Sequence, residues 1–462
     1  MSQTTAWDSA RTFELVRKCV AQEMQPGTPL PNDELDLVKA GLIDSMGWVA
    51  ILTAIEGATQ IHNFGNPWPD ERLQNIRSLA EAVMSATPAR TADAPKGSAS
   101  TIHDVGSAVS LVGWGRALGS LRVDATAIES ECGLRPGTIG ERAGIECVCR
   151  ADQLENELTL AQRAAEEALV GAQIDLEHVG VLVTTSATFL GFPSLSATLH
   201  SRLLLPESCL ALDVGGACVG VIHALATAKA LLASSHQTIA LVVSAEVNSR
   251  QLSSPSVPGE FRGLFGDGAC AFVLQRSGSA ADGDALRLGD FVFGCSGAFA
   301  SALQVRLDKT RMVEVHFEGE QLARAAVTQL DQILTALERL SGRPREEVDY
   351  FAIHEPNPRL VSVFAQKAGI PLDRIPHIAK TLGNLGSATC GVSLCTALTS
   401  LRANPKPSRG PLIFLAAVGP GLLWGGTYLA GNHFTQLREL GDLAGKINGP
   451  RDLSTRKGFS SR

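Results

Sequence analysis

A chain of 462 residues is longer than one hydrophobic core usually fills, so two or three cores are expected. Hydrophobic residues at 45% against 19% charged, with 45 glycines, exclude a disordered or fibrous chain and suit a buried α/β sheet. A formal net charge of -7 without a basic run argues against a nucleic-acid partner, and no membrane span is expected, because no 18-residue apolar stretch is free of charge.

The segment Met1 to Asp8 lacks the basic-then-apolar pattern of a signal peptide, so a cytoplasmic protein is expected. The ten cysteines are scattered without CxxC pairs, which implies neither a disulfide framework nor a zinc ribbon, and no metal site is expected. Apolar spacing in Arg11 to Gln22, Met46 to Ile55 and Ile76 to Met84 predicts three helices, a small all-α bundle over residues 1–87. Inside it, Gly41-Leu42-Ile43-Asp44-Ser45-Met46 opens an apolar helix. Locally Asp44-Ser45 reads as a helix N-cap. The motif also resembles the Asp-Ser-Leu or Asp-Ser-Met site of acyl carrier proteins. That resemblance implies 4'-phosphopantetheine attached to Ser45 as a covalent cofactor and a phosphopantetheinyl transferase as partner. The helix Met46 to Glu56 is less acidic than most carrier recognition helices. Residues 88–103, rich in Pro, Ala, Ser and Gly, read as a flexible linker.

From Val109 onward, short Val/Ile/Leu-rich runs alternate with helical periodicity, which predicts a mostly parallel sheet covered on both faces. One unit is helix Leu158 to Gly171, strand Val179 to Thr185, helix Pro193 to Leu203, strand Cys209 to Val214 and a helix from Cys218. It returns as helix Gln321 to Leu340, strand Val348 to Ile353, helix Arg359 to Ala368, strand Arg374 to Ala379 and a helix from Gly386. Each copy closes with two further β runs, Ile239 to Ala245 and Ala271 to Gln275, then Leu412 to Val418 and Thr427 to Ala430. Two similar halves follow, residues 104–277 and 278–433, and the polar tail 434–462 is expected to be partly disordered.

Gly215-Gly216-Ala217-Cys218 places a cysteine at a strand-to-helix turn, where the helix dipole favours thiolate and small neighbours admit a thioester. A cysteine beside Gly and Ala is also commonly a small buried hydrophobe. His354 follows the strand Tyr350 to Ile353, and Asn384 lies in Leu382-Gly383-Asn384-Leu385-Gly386. By the repeat all three fall at one sheet edge, beyond the carboxyl ends of strands, where open α/β sheets bind ligands.

Residues 105–432 resemble the β-ketoacyl-acyl carrier protein synthase III family of the thiolase superfamily. The matching stretches are Thr184-Thr185-Ser186-Ala187-Thr188 with Phe192-Pro193-Ser194, Asp213 to Cys218, Phe265-Gly266-Asp267-Gly268-Ala269, His354-x-x-Asn357-x-Arg359, Gly383-Asn384 and Trp424-Gly425. The resemblance implies a thiolase fold, that is, duplicated mixed-sheet αβαβα layers behind the small helical bundle. It also implies a homodimer and a Cys-His-Asn triad of Cys218, His354 and Asn384. The partners it implies are acyl and malonyl thioesters on a carrier protein or coenzyme A. Asn357 and Arg359 resemble the positions that hold the phosphopantetheine arm and its carrier, and Arg142 lies in Arg142-Ala143-Gly144-Ile145, similar to the family's Arg-Thr-Gly-Ile. Two departures stand out. Thr138 takes the place of a Trp that stacks on adenine, which questions direct use of coenzyme A. Pro420 in Val418-Gly419-Pro420-Gly421 has no N–H to offer an acyl oxyanion. The implied activity is decarboxylative condensation in fatty-acid-like or specialised metabolism. Acyl transfer from Cys218 to an alcohol or amine, and a non-catalytic partner subunit, are the alternatives.

Overall fold

The computed structural model describes residues 8–25, 27–59, 61, 74–85, 100–102, 108–276, 286–307, 313–404 and 410–431. The tail 434–462 lies outside the described residues, as does the linker over 88–103 except for Ser100–Ile102. Those three residues are not coil: they form a strand paired antiparallel with Phe291–Phe293.

The N-terminal bundle contains helices Ser9–Glu23, Ser45–Thr59 and Ile76–Ser85, the three that apolar spacing predicts. Asp8 starts the first by accepting the Arg11 N–H at 2.8 Å. Val16, Val20, Leu37, Ile51, Leu52, Ile55 and Leu79 fill a core of their own.

In the main body, one sheet path runs Tyr350–Ile353, Leu412–Gly419, Leu423–Ala430, Leu286–Cys295, Val109–Leu118, Asp267–Arg276, Ile239–Val247, Val181–Thr185 and Leu210–Asp213. The two halves meet where Val109–Leu118 pairs with Leu286–Cys295. The mostly parallel sheet predicted from apolar runs is corrected here. Only the outer pairs are parallel, and the pairs on either side of the centre are antiparallel. Apolar runs report burial on both faces and carry no information about strand direction.

Alternating side chains build the layers. In Asp267–Arg276, Cys270, Phe272 and Leu274 face a central core shared with helices Gly220–Ser234 and Thr389–Ala403. Ala269, Ala271 and Val273 face outward onto helices Glu157–Ala172 and Leu195–Leu203. The second half repeats this, with Phe414 and Ala416 turned to helices Gly319–Ser341 and Pro358–Ala368 and Leu415 and Ala417 turned inward. The result is the duplicated αβαβα thiolase fold.

One predicted strand is absent. Over Arg374 to Ala379 there is a 3-10 turn at Leu372–Arg374, then the short helix Ala379–Leu382. Pro376 lacks the N–H a ladder needs, and His377 turns the chain at φ 56°. The first half therefore keeps an outer strand, Leu210–Asp213, that the second half lacks.

The central layer is tightly packed where helix Thr389–Ala403 crosses the sheet. A methyl on Gly391 would collide with Cys270 Sγ and stand 3.4 Å from Phe272. Gly391→Ala is expected to destabilise the main body by about 1–3 kcal/mol through overpacking, seen as a lowered Tm in calorimetry.

Candidate active site

Cys218 sits between strand Leu210–Asp213 and helix Gly220–Ser234, on a turn that only a special backbone makes. Gly216 has φ 150° and Ala217, unusually for a residue with a Cβ, has φ 45°. This turn aims Cys218 into a cavity of about 270 Å³, which His354, Asn384, Gly419 and Pro420 also line. Gly419 packs closely against this turn: a Cβ there would lie 3.1 Å from that of Cys218, tighter than ordinary contact.

His354 directly follows Tyr350–Ile353, and its N–H donates to Ala416 O at 2.9 Å, prolonging the ladder by one residue. The ring is buried, and its Nδ1 has no hydrogen-bond partner among the described residues. Burial pushes its pKa down to about 4, so the imidazole is neutral near pH 7 and carries one N–H donor.

Asn384 is not at the end of a strand, as expected, but in the loop after Ala379–Leu382. The loop is fastened to the other half: Asn384 N–H donates to Leu264 O at 2.8 Å, and Gly266 N–H donates to Asn384 O at 3.0 Å. Two glycines permit this approach. A Cβ on Gly383 would stand 2.7 Å from Val148 and 3.0 Å from Gly266 N, and one on Gly266 would collide with Leu382 O. Asn384 Oδ1 accepts from Gly386 N–H at 2.9 Å and Thr389 Oγ1 at 3.0 Å. The oxygen end of the amide is thereby fixed, and its NH₂ is left as the end for the cavity.

The remaining predicted residues separate by role. Asn357 lines the cavity but also caps helix Pro358–Ala368, accepting from Leu360 N–H at 2.9 Å. Arg142 and Thr138 lie on a turn of π-helix, Thr138–Ala143, that Glu129 holds by accepting from Gly137, Ile139 and Gly140, and both line the cavity. Arg359 lines it too, and is ion-paired to Asp44 at 2.7 Å and Glu23 at 3.3 Å. Asp44 itself lines the cavity and caps the helix that begins at Ser45, accepting from Gly47 N–H at 2.8 Å. Asp44, the residue before Ser45, and Cys218 thus line one cavity.

Two features were not anticipated. Glu246, fully buried, accepts from Ala187 N–H at 2.9 Å, Thr188 N–H at 3.0 Å and the Ser387 hydroxyl, tying the loop after Val181–Thr185 to the start of the Asn384 helix. Its signal was a single acidic residue in the apolar strand Ile239–Val247. The hairpin Leu303–Leu307 with Val313–Phe317 supplies Leu303 and Phe317 to the cavity wall, beside Phe261 and Phe265.

The thiol is not ionised in this setting. Burial, with the charge of Glu246, pushes the Cys218 pKa up to about 12 and outweighs the helix start expected to lower it. The cavity offers a nucleophile that loses its proton as it attacks, and two neutral donors.

Comparison with known proteins places the main body in a known family. The family profile 3-oxoacyl-[acyl-carrier-protein (ACP)] synthase III matches residues 212–303, and its C-terminal counterpart matches residues 339–430. The beta-ketoacyl-[acyl-carrier-protein] synthase III of Ruegeria pomeroyi is 33% identical over 302 residues, covering 63% of this chain and 89% of that protein. Its counterpart in Sphingopyxis alaskensis is 30% identical over 322 residues, covering 69% and 98%. The crystal structure of FabH, the 3-oxoacyl-(acyl carrier protein) synthase III of Pseudomonas aeruginosa, matches with a TM-score of 0.62 at 26% identity, covering 70% of this chain and 98% of that one. OleA of Xanthomonas campestris shares the fold, with a TM-score of 0.61 at 24% identity over 70% of this chain and 96% of its own.

The raised thiol pKa has a measurable sign. Alkylation of Cys218 by iodoacetamide, followed on its own peptide by mass spectrometry, should rise about tenfold per pH unit from 7 to 10. A plateau beginning below pH 8 would contradict the burial argument.

Proposed function

The chain belongs to the β-ketoacyl-[acyl-carrier-protein] synthase III family, and we propose that it loads an acyl group on Cys218 and extends it with a malonyl-type thioester by decarboxylative Claisen condensation. The observation that carries this reading is the Asn384 amide, its oxygen held by Gly386 and Thr389, facing the same cavity as Cys218 and a neutral His354.

Cys218 Sγ attacks the carbonyl of an acyl thioester, its proton passes to the departing thiol, and the acyl group stays on the enzyme. A malonyl-type thioester then enters. His354 and Asn384 donate to its carbonyl oxygen and stabilise the enolate formed as carbon dioxide leaves. The enolate carbon attacks the acyl-cysteine carbonyl, a carbon–carbon bond forms, and the Cys218 thiolate is expelled and reprotonated. Because Pro420 has no N–H, we assign the Cys218 N–H as the donor to the acyl oxyanion. The neutral imidazole suits this work: it donates without holding a counter-charge that would stabilise the malonyl carboxylate.

The N-terminal bundle is read as an acyl carrier domain with 4'-phosphopantetheine on Ser45. That group supplies a terminal thiol on a long arm, able to hold an acyl or malonyl unit as a thioester. The fit rests on Asp44, which precedes Ser45 and lines the cavity that reaches Cys218. Asn357, Arg359 and Arg142 at the same cavity are assigned to hold the arm. A homodimer fits the free edge of Leu210–Asp213, where Leu210 is exposed, as are Leu190, Phe192 and Leu204 in the chain on either side of helix Leu195–Leu203. The pathway is fatty-acid-like or specialised metabolite synthesis.

Intact-mass measurement after incubation with a phosphopantetheinyl transferase and an acyl thioester tests both readings. Cys218→Ser should keep the fold and lose acyl loading. Asn384→Ala should load normally but release carbon dioxide about 10²–10³-fold more slowly, the usual effect of removing one such donor. Ser45→Ala should abolish holo-modification, and an unmodified wild-type chain would remove the carrier reading alone. Discharge of acyl-Cys218 only to an alcohol or amine would overturn condensation.

A further inference from the structure

Helix Ser45–Thr59 is apolar on both sides, which a free three-helix bundle does not require. Trp48, Ile51, Leu52 and Ile55 fill the bundle core, whereas Val49 and Ala50 are equally buried in a different cluster. That second cluster belongs to the synthase body, with Leu360, Val361 and Phe364 of helix Pro358–Ala368 and Ala323 and Val327 of helix Gly319–Ser341. Charged pairs flank the apolar contact at both ends. At the start of the helix, Arg359 reaches Asp44 and Glu23, and passes so close that a Cβ on Gly47 would stand 3.0 Å from its Nη2. Toward the other end, Glu56 is held by Arg324 at 2.9 Å and Lys367 at 3.7 Å, with the Glu56 side chain only 8% exposed. Three acidic groups on the bundle meet three basic groups on the body.

We propose that this surface is a dedicated docking site for the chain's own N-terminal bundle, which seats in cis with position 45 at the mouth of the Cys218 cavity. Arg359 is then engaged within the chain, and a carrier arriving from solution must displace Asp44 and Glu23 before it can use that arginine. The weak acidity of the helix has its explanation here: recognition is by buried Val49 and Ala50 and two charged clasps, and a broad acidic face is unnecessary when the partner is tethered. As a statement about delivery to Cys218 this rests on the carrier reading of Ser45; as a statement about docking it does not.

The docking is tested on the full chain by zero-length carbodiimide coupling, which joins a lysine to a carboxylate in contact, read by peptide mass spectrometry. The expected product is an amide bond between Lys367 and Glu56, formed at a yield independent of protein concentration. In a mixture of isotopically light and heavy chains it should join only fragments of the same isotope. Arg324→Glu should lower the yield about tenfold, as expected when a charge pair shielded from solvent is reversed. Ser45→Ala should leave it unchanged, so coupling without holo-modification would uphold docking and sink only the carrier reading. Absence of the Lys367–Glu56 product from folded wild-type chain, or mixed-isotope products in place of uniform ones, overturns cis docking.

Discussion

The site depends on one contact between the two halves: the helix start behind Cys218 lies against the helix start behind Asn384. A methyl on Gly220 would stand 3.3 Å from Ser387 Cβ and would collide with Thr185 Oγ1. A side chain there would be tight against the second helix start and would have to displace the Thr185 hydroxyl. Because each helix begins just after its reactive loop, the contact brings two groups 166 residues apart in sequence to one cavity wall, a separation read directly from their numbers. The same contact explains Glu246, which lies beneath it and holds Ser387 from below and the Ala187–Thr188 amides from the side. Removing that carboxylate would leave several buried donors without an acceptor, at about 1–3 kcal/mol each.

Glu246 also shapes the chemistry. Burial is the main cause that keeps the Cys218 thiol protonated, and the nearby Glu246 carboxyl, whose own pKa burial also raises, adds to it. His354 is driven the opposite way, toward its neutral form, by burial alone. Both effects act against a resting thiolate–imidazolium pair and favour a site of neutral donors. Such a site is poor at trapping stray electrophiles and suited to charge that develops on a substrate oxygen, where fixed donors in a water-poor cavity act most strongly.

Much of this was legible in the amino-acid order. Gly215 to Cys218 and His354 could be placed at the ends of strands because the helix–strand units recur, and the repeat survives in the sheet as mirror-ordered halves; Asn384 reaches the same cavity without the strand expected before it. Direction of pairing was not legible, since Val- and Ile-rich runs look alike in parallel and antiparallel positions when both faces are buried. The segment Arg374 to Ala379 misled because Ile375 and Ile378 are buried as strand residues would be, but in different clusters on either side of a proline and a left-handed turn. Nor could the ionisation of Cys218 be foreseen. The helix start is visible in sequence, whereas desolvation and Glu246 are properties of the packed core.

Some departures from ordinary folding rules fall at the cavity. Ala217 holds a left-handed backbone without being glycine, a strain of about 1–3 kcal/mol. His354 buries a ring nitrogen with no partner among the described residues. Its neighbour Glu355 is a fully buried carboxyl whose pKa is raised to about 7 by burial, although Ala379 N–H and the Ser393 hydroxyl donate to it. The core strands on either side are mostly alternating apolar residues, and their buried carboxyls, Glu246 and Asp267, lie toward the ends of strands Ile239–Val247 and Asp267–Arg276. If these features served packing alone, a glycine at 217 and an apolar residue at 354 would relieve the strain and the orphaned nitrogen without loss. Strained or unpaired groups occur elsewhere too, at Gln173, Leu204 and Arg150, but at Ala217 and His354 they fall on residues that adjoin or line the cavity, where stability is given up beside the groups that would meet a substrate.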